Sequence, residues 1–420
     1  MQHDLFNGSS LSFEYILKTD HNWDLFKFLY SHKLRPETIQ EVEKMLLCCN
    51  PKNGFATFIC THCGHTKKIH FSCKSKSCCR CGKKYTDNWS NELNSTLLHT
   101  THMHIILTVS DKLWNPLQLD ISLQKLLLDS AAKTISKVFS LYNKQKLKIT
   151  TGTILVLHPF GDDLSPNFHV HAITTTGGLS KNNSWVNTDF IPYDAFRKIW
   201  QYEILTALRK QRPDLTHVID CCFKSNSNGF LVFCVRKIHP NKRSLLKYLS
   251  RYVRHPAISN RRIIAYNGTH VTFSYEKYGK KSYKTIPKFD FILAVLQHIT
   301  PKHFKVIRRL GLYSRRSKTK YNIASELLQP PSSNNISAST FNWRRNKMNF
   351  SGSDPIKCER CNHQMELLSI TYPTKTGYKT VGGFHWIIRE GGLNYVQHLQ
   401  PPQKHIFKEQ KRCSIHMSKL

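Results

Sequence analysis

Apolar residues recur along this chain at two kinds of spacing, and each predicts a different element. Helical intervals run through residues 12–47, most plainly in Pro36-Glu-Thr-Ile-Gln-Glu-Val-Glu-Lys-Met-Leu-Leu47. The same period returns over residues 86–100, 119–140 and 243–253, and from Pro192 through Arg209, where proline takes its favoured first-turn place. Alternation, or a short apolar run bounded by turn residues, marks strands at 102–109, 152–157, 168–175, 229–235 and 269–275. The strands at 152–157 and 168–175 are separated by a Pro/Gly/Asp-containing connection of hairpin length. The resulting β-α-β-β-α-β order predicts an α/β fold with an antiparallel-rich sheet and packed helices, not a doubly wound sheet. Residues 329–339, with two prolines and several Ser and Asn, read as a linker, and no internal repeat is visible.

Charge narrows the partner. Lys and Arg number 62 against 27 Asp and Glu, a formal net charge of +35 over 420 residues. That excess implies a polyanion held through its phosphates, DNA or RNA, although ribosomal or membrane-surface association would give the same sign. No apolar stretch reaches the roughly 18–20 residues of a membrane span, and the polar Met1-Gln-His-Asp start lacks a secretory apolar region. A cytoplasmic protein is the expectation.

Eight of the 14 cysteines fall between Cys48 and Cys81. Without a signal peptide, such clustering reads as zinc ligands before disulfides. Cys60-x-x-Cys63 and Cys78-x-x-Cys81 have the short spacing of tetrahedral Zn–S sites, each followed by a glycine, Gly64 or Gly82. Cys49 and Cys73 can join them, with His65 and His70 as nitrogen donors, which leaves room for one site or two. Buried cysteines without metal are the plainer alternative. Lys67, Lys68, Lys74, Lys76, Lys83 and Lys84 surround the cluster and favour a nucleic-acid contact surface. The later Cys358-x-x-Cys361 supplies only two ligands, so it either recruits His363 or Cys413 or binds nothing.

The sharpest chemistry lies in Asn167-Phe-His-Val-His-Ala-Ile173. On a strand, His169 and His171 leave the same face, and Val170 packs into the core from the other. Two such imidazoles can share a divalent ion, Mg2+ or Mn2+, and the hairpin brings His158 back as a candidate third donor. Structural histidines with ordinary partners are the competing reading. Tyr248 and Tyr252 follow at i, i+4 spacing on one helix face, either as an aromatic patch or as nucleophiles. A phenolate beside a metal, in a strongly basic protein, points to attack on a DNA phosphodiester. Two tyrosines would permit successive cleavages with both ends held. Arg251, Arg254, Arg261 and Arg262 are placed to clamp phosphates. Residues 302–320 hold eight Lys or Arg and no acid, including Arg308, Arg309, Arg315 and Arg316. Asp162 and Asp163 are adjacent and do not build a two-metal carboxylate site, and no Walker glycine loop supports a helicase.

Several stretches resemble the two-tyrosine HUH transposases of bacterial insertion sequences, relatives of rolling-circle initiators. They are Cys73-Lys-Ser-Lys-Ser-Cys78-Cys-Arg-Cys81-Gly-Lys-Lys; Phe160-Gly-Asp-Asp-Leu leading to Phe168-His-Val-His171 and Thr176-Gly-Gly-Leu179; Tyr248-Leu-Ser-Arg-Tyr252-Val-Arg-His-Pro-Ala-Ile258-Ser-Asn-Arg-Arg-Ile263; and Tyr313-Ser-Arg-Arg316. Lysine and cysteine stand where the family's cysteine motif usually has arginine and proline. The resemblance implies an HUH, Rep-like core behind an amino-terminal zinc-binding domain. It gives His169 and His171 the role of metal ligands and Tyr248 and Tyr252 that of nucleophiles forming 5′-phosphotyrosine intermediates. By that likeness the chain divides into a helical and cysteine-rich domain (1–90), a catalytic domain (91–300), a basic DNA-binding segment with linker (301–350) and a carboxy-terminal extension (351–420). The expected partner is single-stranded DNA at element ends in a bacterial, nucleoid-associated setting, with host helicase or replication proteins supplying unwinding. A replication initiator or relaxase, or a non-enzymatic zinc-dependent DNA-binding protein, are the alternatives.

Overall fold

The computed structural model describes residues 11–75, 78–143, 147–188, 191–238, 257–277, 279–329, 344, 347–348, 352–382, 386–389 and 392–395. They form two compact units, one of residues 1–88 and 338–420 and the other of residues 89–337.

The first unit opens with α1 (Phe13–Lys18), α2 (Asn22–Tyr30) and α3 (Pro36–Leu46). The periodic stretch at 12–47 is thus three helices. Asp20 and His21 have positive φ at the break between the first two, and Pro36 starts the third as an N-terminal proline should. Phe13, Ile16, Leu17, Trp23, Phe26, Val42 and Met45 are the buried apolar side chains of these three helices. A hairpin of β1 (Phe55–Ile59) and β2 (Thr66–His70) follows. Then α4 (Cys79–Thr96) begins inside the cysteine cluster, earlier than the helix expected from residue 86.

The second unit is built on an antiparallel sheet. Its strands are β3 (His102–Thr108), β4 (Thr150–Phe160), β5 (Pro166–Leu179), the short β6 (Trp185–Asn187), β7 (Val232–Ile238) and a late strand at Ile307–Gly311. Between them run α5 (Trp114–Leu119), α6 (Ile121–Leu141), α7 (Tyr193–Gln211) and α8 (Thr216–Ser225). Further on come β8 (Ile263–Tyr266), β9 (His270–Lys277) and β10 (Lys280–Pro287), which make their own antiparallel sheet, then α9 (Lys288–Leu296). The late strand is β11, and α10 (Lys318–Leu327) follows it. The main sheet runs β11-β4-β5-β3-β7, with β6 pairing the end of β5. Residues 301–350 were expected to be a separate basic segment. Instead β11 is an edge strand of the core sheet, Ile307 opposite Val156 and Gly311 opposite Gly152.

Alternation along the central strand explains the two faces. Phe168, Val170 and Ala172 point into one hydrophobic cluster with Ile105, Leu107, Leu155 and Leu157 of neighbouring strands and with Leu127, Ile135, Trp200 and Ile204 of α6 and α7. Ile173 faces the opposite way, with Ile154 and Val156, against Trp89 and Leu93 of α4, Tyr313, and Ala324 of α10. The histidines share that second face. Both faces of β5 are covered, so His169, His171, Thr174 and Thr175 are buried along with its apolar residues.

The first unit closes on its far end of the chain. β12 (Glu366–Thr374) and β13 (Gly377–Val381) join β1 and β2 in the order β13-β12-β1-β2. Residues 351–420, expected to form a separate extension, therefore contribute strands to the amino-terminal sheet.

Candidate metal centre and cysteine clusters

Register assembles the histidine site. His158 of β4 is directly opposite His169 of β5, so hairpin pairing places two imidazoles side by side on one face, and His171 stands next along that face. His158 Nδ1 is 3.2 Å from His169 Nε2, and the latter is 3.0 Å from His171 Nε2. The three ligand atoms all lie within 4.8 Å of one another. His169 Nδ1–H donates to the Asn167 carbonyl at 2.7 Å, which leaves its Nε2 as a lone pair aimed into the cluster. Burial holds the basicity of His169 down and that of His171 well down, the latter helped by its histidine neighbours. Neutral imidazoles with converging lone pairs repel at these separations unless a cation lies between them, and a three-nitrogen set fits a divalent ion.

A fourth histidine completes the arrangement. His104 of β3 sets its Nε2 3.0 Å from His171 Nδ1, ring against ring. It is 1% exposed, and burial pushes its pKa down to about 4. A neutral His104 accepting the His171 Nδ1–H fixes the tautomer in which His171 Nε2 carries its lone pair toward the cluster. Sequence reasoning passed over His104 because the strand pattern alone made it one more buried position. Only the β3–β5 register, with Ile106 opposite His171, brings it within reach.

The turn that carries His158 to His169 is braced from the second sheet. Gly161 and Ser165 close it by a backbone hydrogen bond of 2.9 Å, with Leu164 in the left-handed region. Arg262 donates to the Ser274 carbonyl at 2.7 Å and to the Asp162 carbonyl. Lys284 Nζ sits 3.3 Å from the Asp163 carboxylate. Burial alone would raise the Asp163 pKa, but the Ser165 hydrogen bonds and Lys284 outweigh it and hold it low. The Asp163 carboxylate and the Asp162 carbonyl are thus committed to the turn.

The arginines expected to meet phosphate divide into two groups. Arg262, Arg308 and Arg309 are engaged within the protein, Arg308 with Asp129 and Arg309 with Glu92 at 2.9 Å. These three differ from the expected phosphate contacts, because Arg262 braces a turn through backbone carbonyls and Arg308 and Arg309 tie β11 to α6 and α4. Arg261, Arg315 and Arg316 are exposed. Tyr248, Tyr252, Arg251 and Arg254 lie outside the described residues.

Eight cysteines form two tetrads, each built on one of the short-spaced pairs, with Cys48 in place of the expected Cys49 in one and Cys358 and Cys361 in the other. Cys78 and Cys81, at the start of α4, meet Cys48 and Cys73, with Sγ–Sγ separations of 3.7 Å (Cys48–Cys81), 3.6 Å (Cys48–Cys78) and 3.5 Å (Cys73–Cys81). Cys60 and Cys63 meet Cys358 and Cys361 instead. Four sulfurs at about 2.3 Å from a tetrahedral zinc stand about 3.8 Å apart, whereas a disulfide needs about 2.05 Å. The observed edges fit zinc. Backbone N–H groups of Ser75 and Cys81 point at Cys73 and Cys78 Sγ, and the amino-terminal end of α4 favours thiolates there. Cys49, also expected as a ligand, is left beside the first tetrad. Its backbone is left-handed, and its thiol is pushed up by Cys48 and by burial. His65 and His70 are in neither tetrad.

An antiparallel sheet whose central strand presents a His-x-His pair on one face, with helices packed on the other, is the architecture of HUH, Rep-like nucleases. A family model described as "Putative transposase" matches residues 152–320, and one described as "Transposase zinc-binding domain" matches residues 19–109. The chain is 29% identical over 301 residues to the transposase for insertion sequence element IS801 of Pseudomonas savastanoi pv. phaseolicola, covering 67% of this chain and 72% of that protein. It is 24% identical over 291 residues to "Putative transposase y4qJ" of Sinorhizobium fredii, covering 64% of this chain and 73% of that protein. No solved structure matches the chain. Across these two segments the chain is similar to transposases, one of them of an insertion sequence element, and to a transposase zinc-binding domain. Among the described residues, no helix is long and apolar enough to cross a membrane.

Proposed function

We propose that this protein is an HUH-type transposase that cuts and rejoins the single-stranded ends of its element by tyrosine attack, with Mg2+ or Mn2+ held by His158, His169 and His171. The convergence of three buried imidazole nitrogens within 4.8 Å carries the reading. A divalent ion bound there supplies positive charge to a phosphate and eases departure of its leaving oxygen. The protein's own part is to hold three neutral donors in place before substrate arrives. His171 is oriented by His104, His169 by the Asn167 carbonyl, and His158 by the braced β4–β5 turn.

Tyr248 and Tyr252, spaced by one helical turn in the sequence, are the proposed nucleophiles. The phenolate oxygen of one bonds to phosphorus, the bond to the neighbouring 3′ oxygen breaks, and its electron pair leaves as a 3′ hydroxyl after protonation. The 5′ phosphate stays on the tyrosine, so a second 3′ hydroxyl can later attack it and restore the phenol. Arg251, Arg254, Arg261, Arg315 and Arg316 are the proposed phosphate contacts, and host proteins supply duplex unwinding.

Incubating labelled single-stranded oligonucleotides carrying the element ends with protein and Mn2+ tests the metal assignment. His169→Ala and His171→Ala should each lower nicking at least about 100-fold while leaving DNA binding near wild type. Nicking that survives both substitutions would overturn it.

A further inference from the structure

The second cysteine tetrad joins the two ends of the chain. Cys60 Sγ is 3.4 Å from Cys361, and Cys63 Sγ is 3.6 Å from Cys358 and 3.4 Å from Cys361. The partners in each pair are about 300 residues apart. The two halves share one backbone design. In Cys60-Thr-His-Cys63-Gly64-His65, the Cys60 N–H donates to the His65 carbonyl at 2.8 Å, the Gly64 N–H donates to the Cys60 carbonyl at 2.8 Å, and Gly64 has φ +71. In Cys358-Glu-Arg-Cys361-Asn362-His363, the Cys358 N–H donates to the His363 carbonyl at 2.8 Å, the Asn362 N–H donates to the Cys358 carbonyl at 3.0 Å, and Asn362 has φ +64. Glycine and asparagine are the residues that best tolerate that left-handed position. Each loop is a knuckle that turns two sulfurs toward one point, and the two knuckles face each other. The rings of His62 and His363 stack at 3.9 Å across the pair, and Lys67 bridges to Glu359.

The sheet behind the knuckles is too small to stand without them. β1 runs directly into the first knuckle and β12 directly out of the second, paired from Phe55 opposite Thr371 to Ile59 opposite Glu366. The hydrophobic cluster beneath has eight buried residues, and two of them are Cys60 and Cys358 themselves. Cores of that size are normally completed by a metal or a disulfide. Sulfurs at 3.4–3.6 Å are no disulfide, and four thiolates with no charged partner among them would repel.

We infer that Cys60, Cys63, Cys358 and Cys361 form a second tetrathiolate zinc site, a ribbon-type clasp whose ion holds residues 352–382 onto the amino-terminal β-hairpin. The zinc-binding-domain match ends at residue 109, so two of the four ligands come from chain that neither family model covers. The fold of the amino-terminal domain then becomes complete only when the last part of the chain is present.

Cobalt substitution of the full-length protein tests this, because the thiolate-to-Co2+ charge-transfer band counts cysteine sites and is silent for a histidine site. The wild-type chain should hold two tetrathiolate ions, and Cys358→Ser/Cys361→Ser and Cys48→Ser/Cys73→Ser should each hold one. In Cys358→Ser/Cys361→Ser, amide exchange in β1, β2, β12 and β13 should quicken at least about tenfold, with β3–β5 unchanged. Should the double variant misfold as a whole, Cys358→His keeps a fourth ligand and should retain the second ion with a band reduced by the one lost sulfur. One tetrathiolate ion in the wild type, two in Cys358→Ser/Cys361→Ser, unaltered exchange in β1 and β12, or a Cys358→His band equal to that of the wild type would each overturn the clasp.

Discussion

His104 touches no proposed substrate atom, yet the geometry gives it a defined task. It accepts from His171 and so keeps His171 Nε2 pointed at the cluster. Outer partners of this kind typically govern affinity by about 10–100-fold. His104→Ala should therefore weaken Mn2+ binding by about that factor in titration calorimetry, and His104→Gln, which keeps an acceptor, should lose less. Equal affinities for all three proteins would remove His104 from the site. His102, two residues away, does something else. Its Nδ1 meets the Thr100 carbonyl, and its Nε2 accepts from the buried Tyr313 hydroxyl at 2.5 Å, which in turn accepts from the Leu98 N–H. Burial lowers the His102 pKa from 6.5 to about 4. Protons thus bind the unfolded chain first, and the stability this neutral ring contributes is present above pH 6.5 and lost as pH falls toward 4. Between pH 7 and pH 5 the loss should be about 2 kcal/mol, and His102→Gln should remove that share of the acid sensitivity in denaturant titrations. An unchanged pH slope in the variant would contradict the assignment.

At the level of elements, the β4–β5 hairpin was the most legible part of the chain. Two alternating runs and a turn of plausible length were enough to set His169 beside His171 and to draw His158 toward them, because direct cross-strand pairing follows from a hairpin almost automatically. The brace on that hairpin was not legible. Arg262, just ahead of β8, and Lys284 of β10 lie 100 and 121 residues after their partners and grip the turn through carbonyls and Asp163. Arg262→Ala should unlock the turn and cost about 1–3 kcal/mol, since it leaves two carbonyls without their charged donor. The expected signature is faster amide exchange at 158–169 with little change in β3; exchange that stays the same would mean the brace is idle. The cysteine spacings misled for a related reason. Two Cys-x-x-Cys pairs close in sequence left one site or two open and gave Cys358 and Cys361 no cysteine partner but Cys413, whereas strand pairing of β1 with β12 decides which knuckle faces which. The resemblance between Cys60–His65 and Cys358–His363 was available in the sequence and was the signal that could have found the pairing.

Across the whole molecule, the +35 charge was read correctly as an excess, but its distribution could not be read from a run of basic residues. In residues 302–320 the alternation that makes β11 also turns Arg308 and Arg309 toward Asp129 and Glu92, so they serve the fold. Arg315, Arg316, Lys318 and Lys320 remain exposed just after it. Replacing Arg315 and Arg316 by alanine should reduce the salt dependence of single-stranded DNA binding by about 1.4 in the log–log slope, about 0.7 for each lost phosphate contact. Arg309→Ala should leave that slope alone and lower stability instead. The reverse pattern would place the DNA on β11.

The most direct test of the account is covalent capture. Purified protein, labelled single-stranded element ends and Mn2+ are separated under denaturing conditions, with Tyr248→Phe, Tyr252→Phe and the double substitution alongside. Tyrosine strand transfer predicts a protein–DNA band that the double variant lacks and that at least one single variant retains. A protein that cleaves without a covalent band, or a double variant that still forms one, would contradict it.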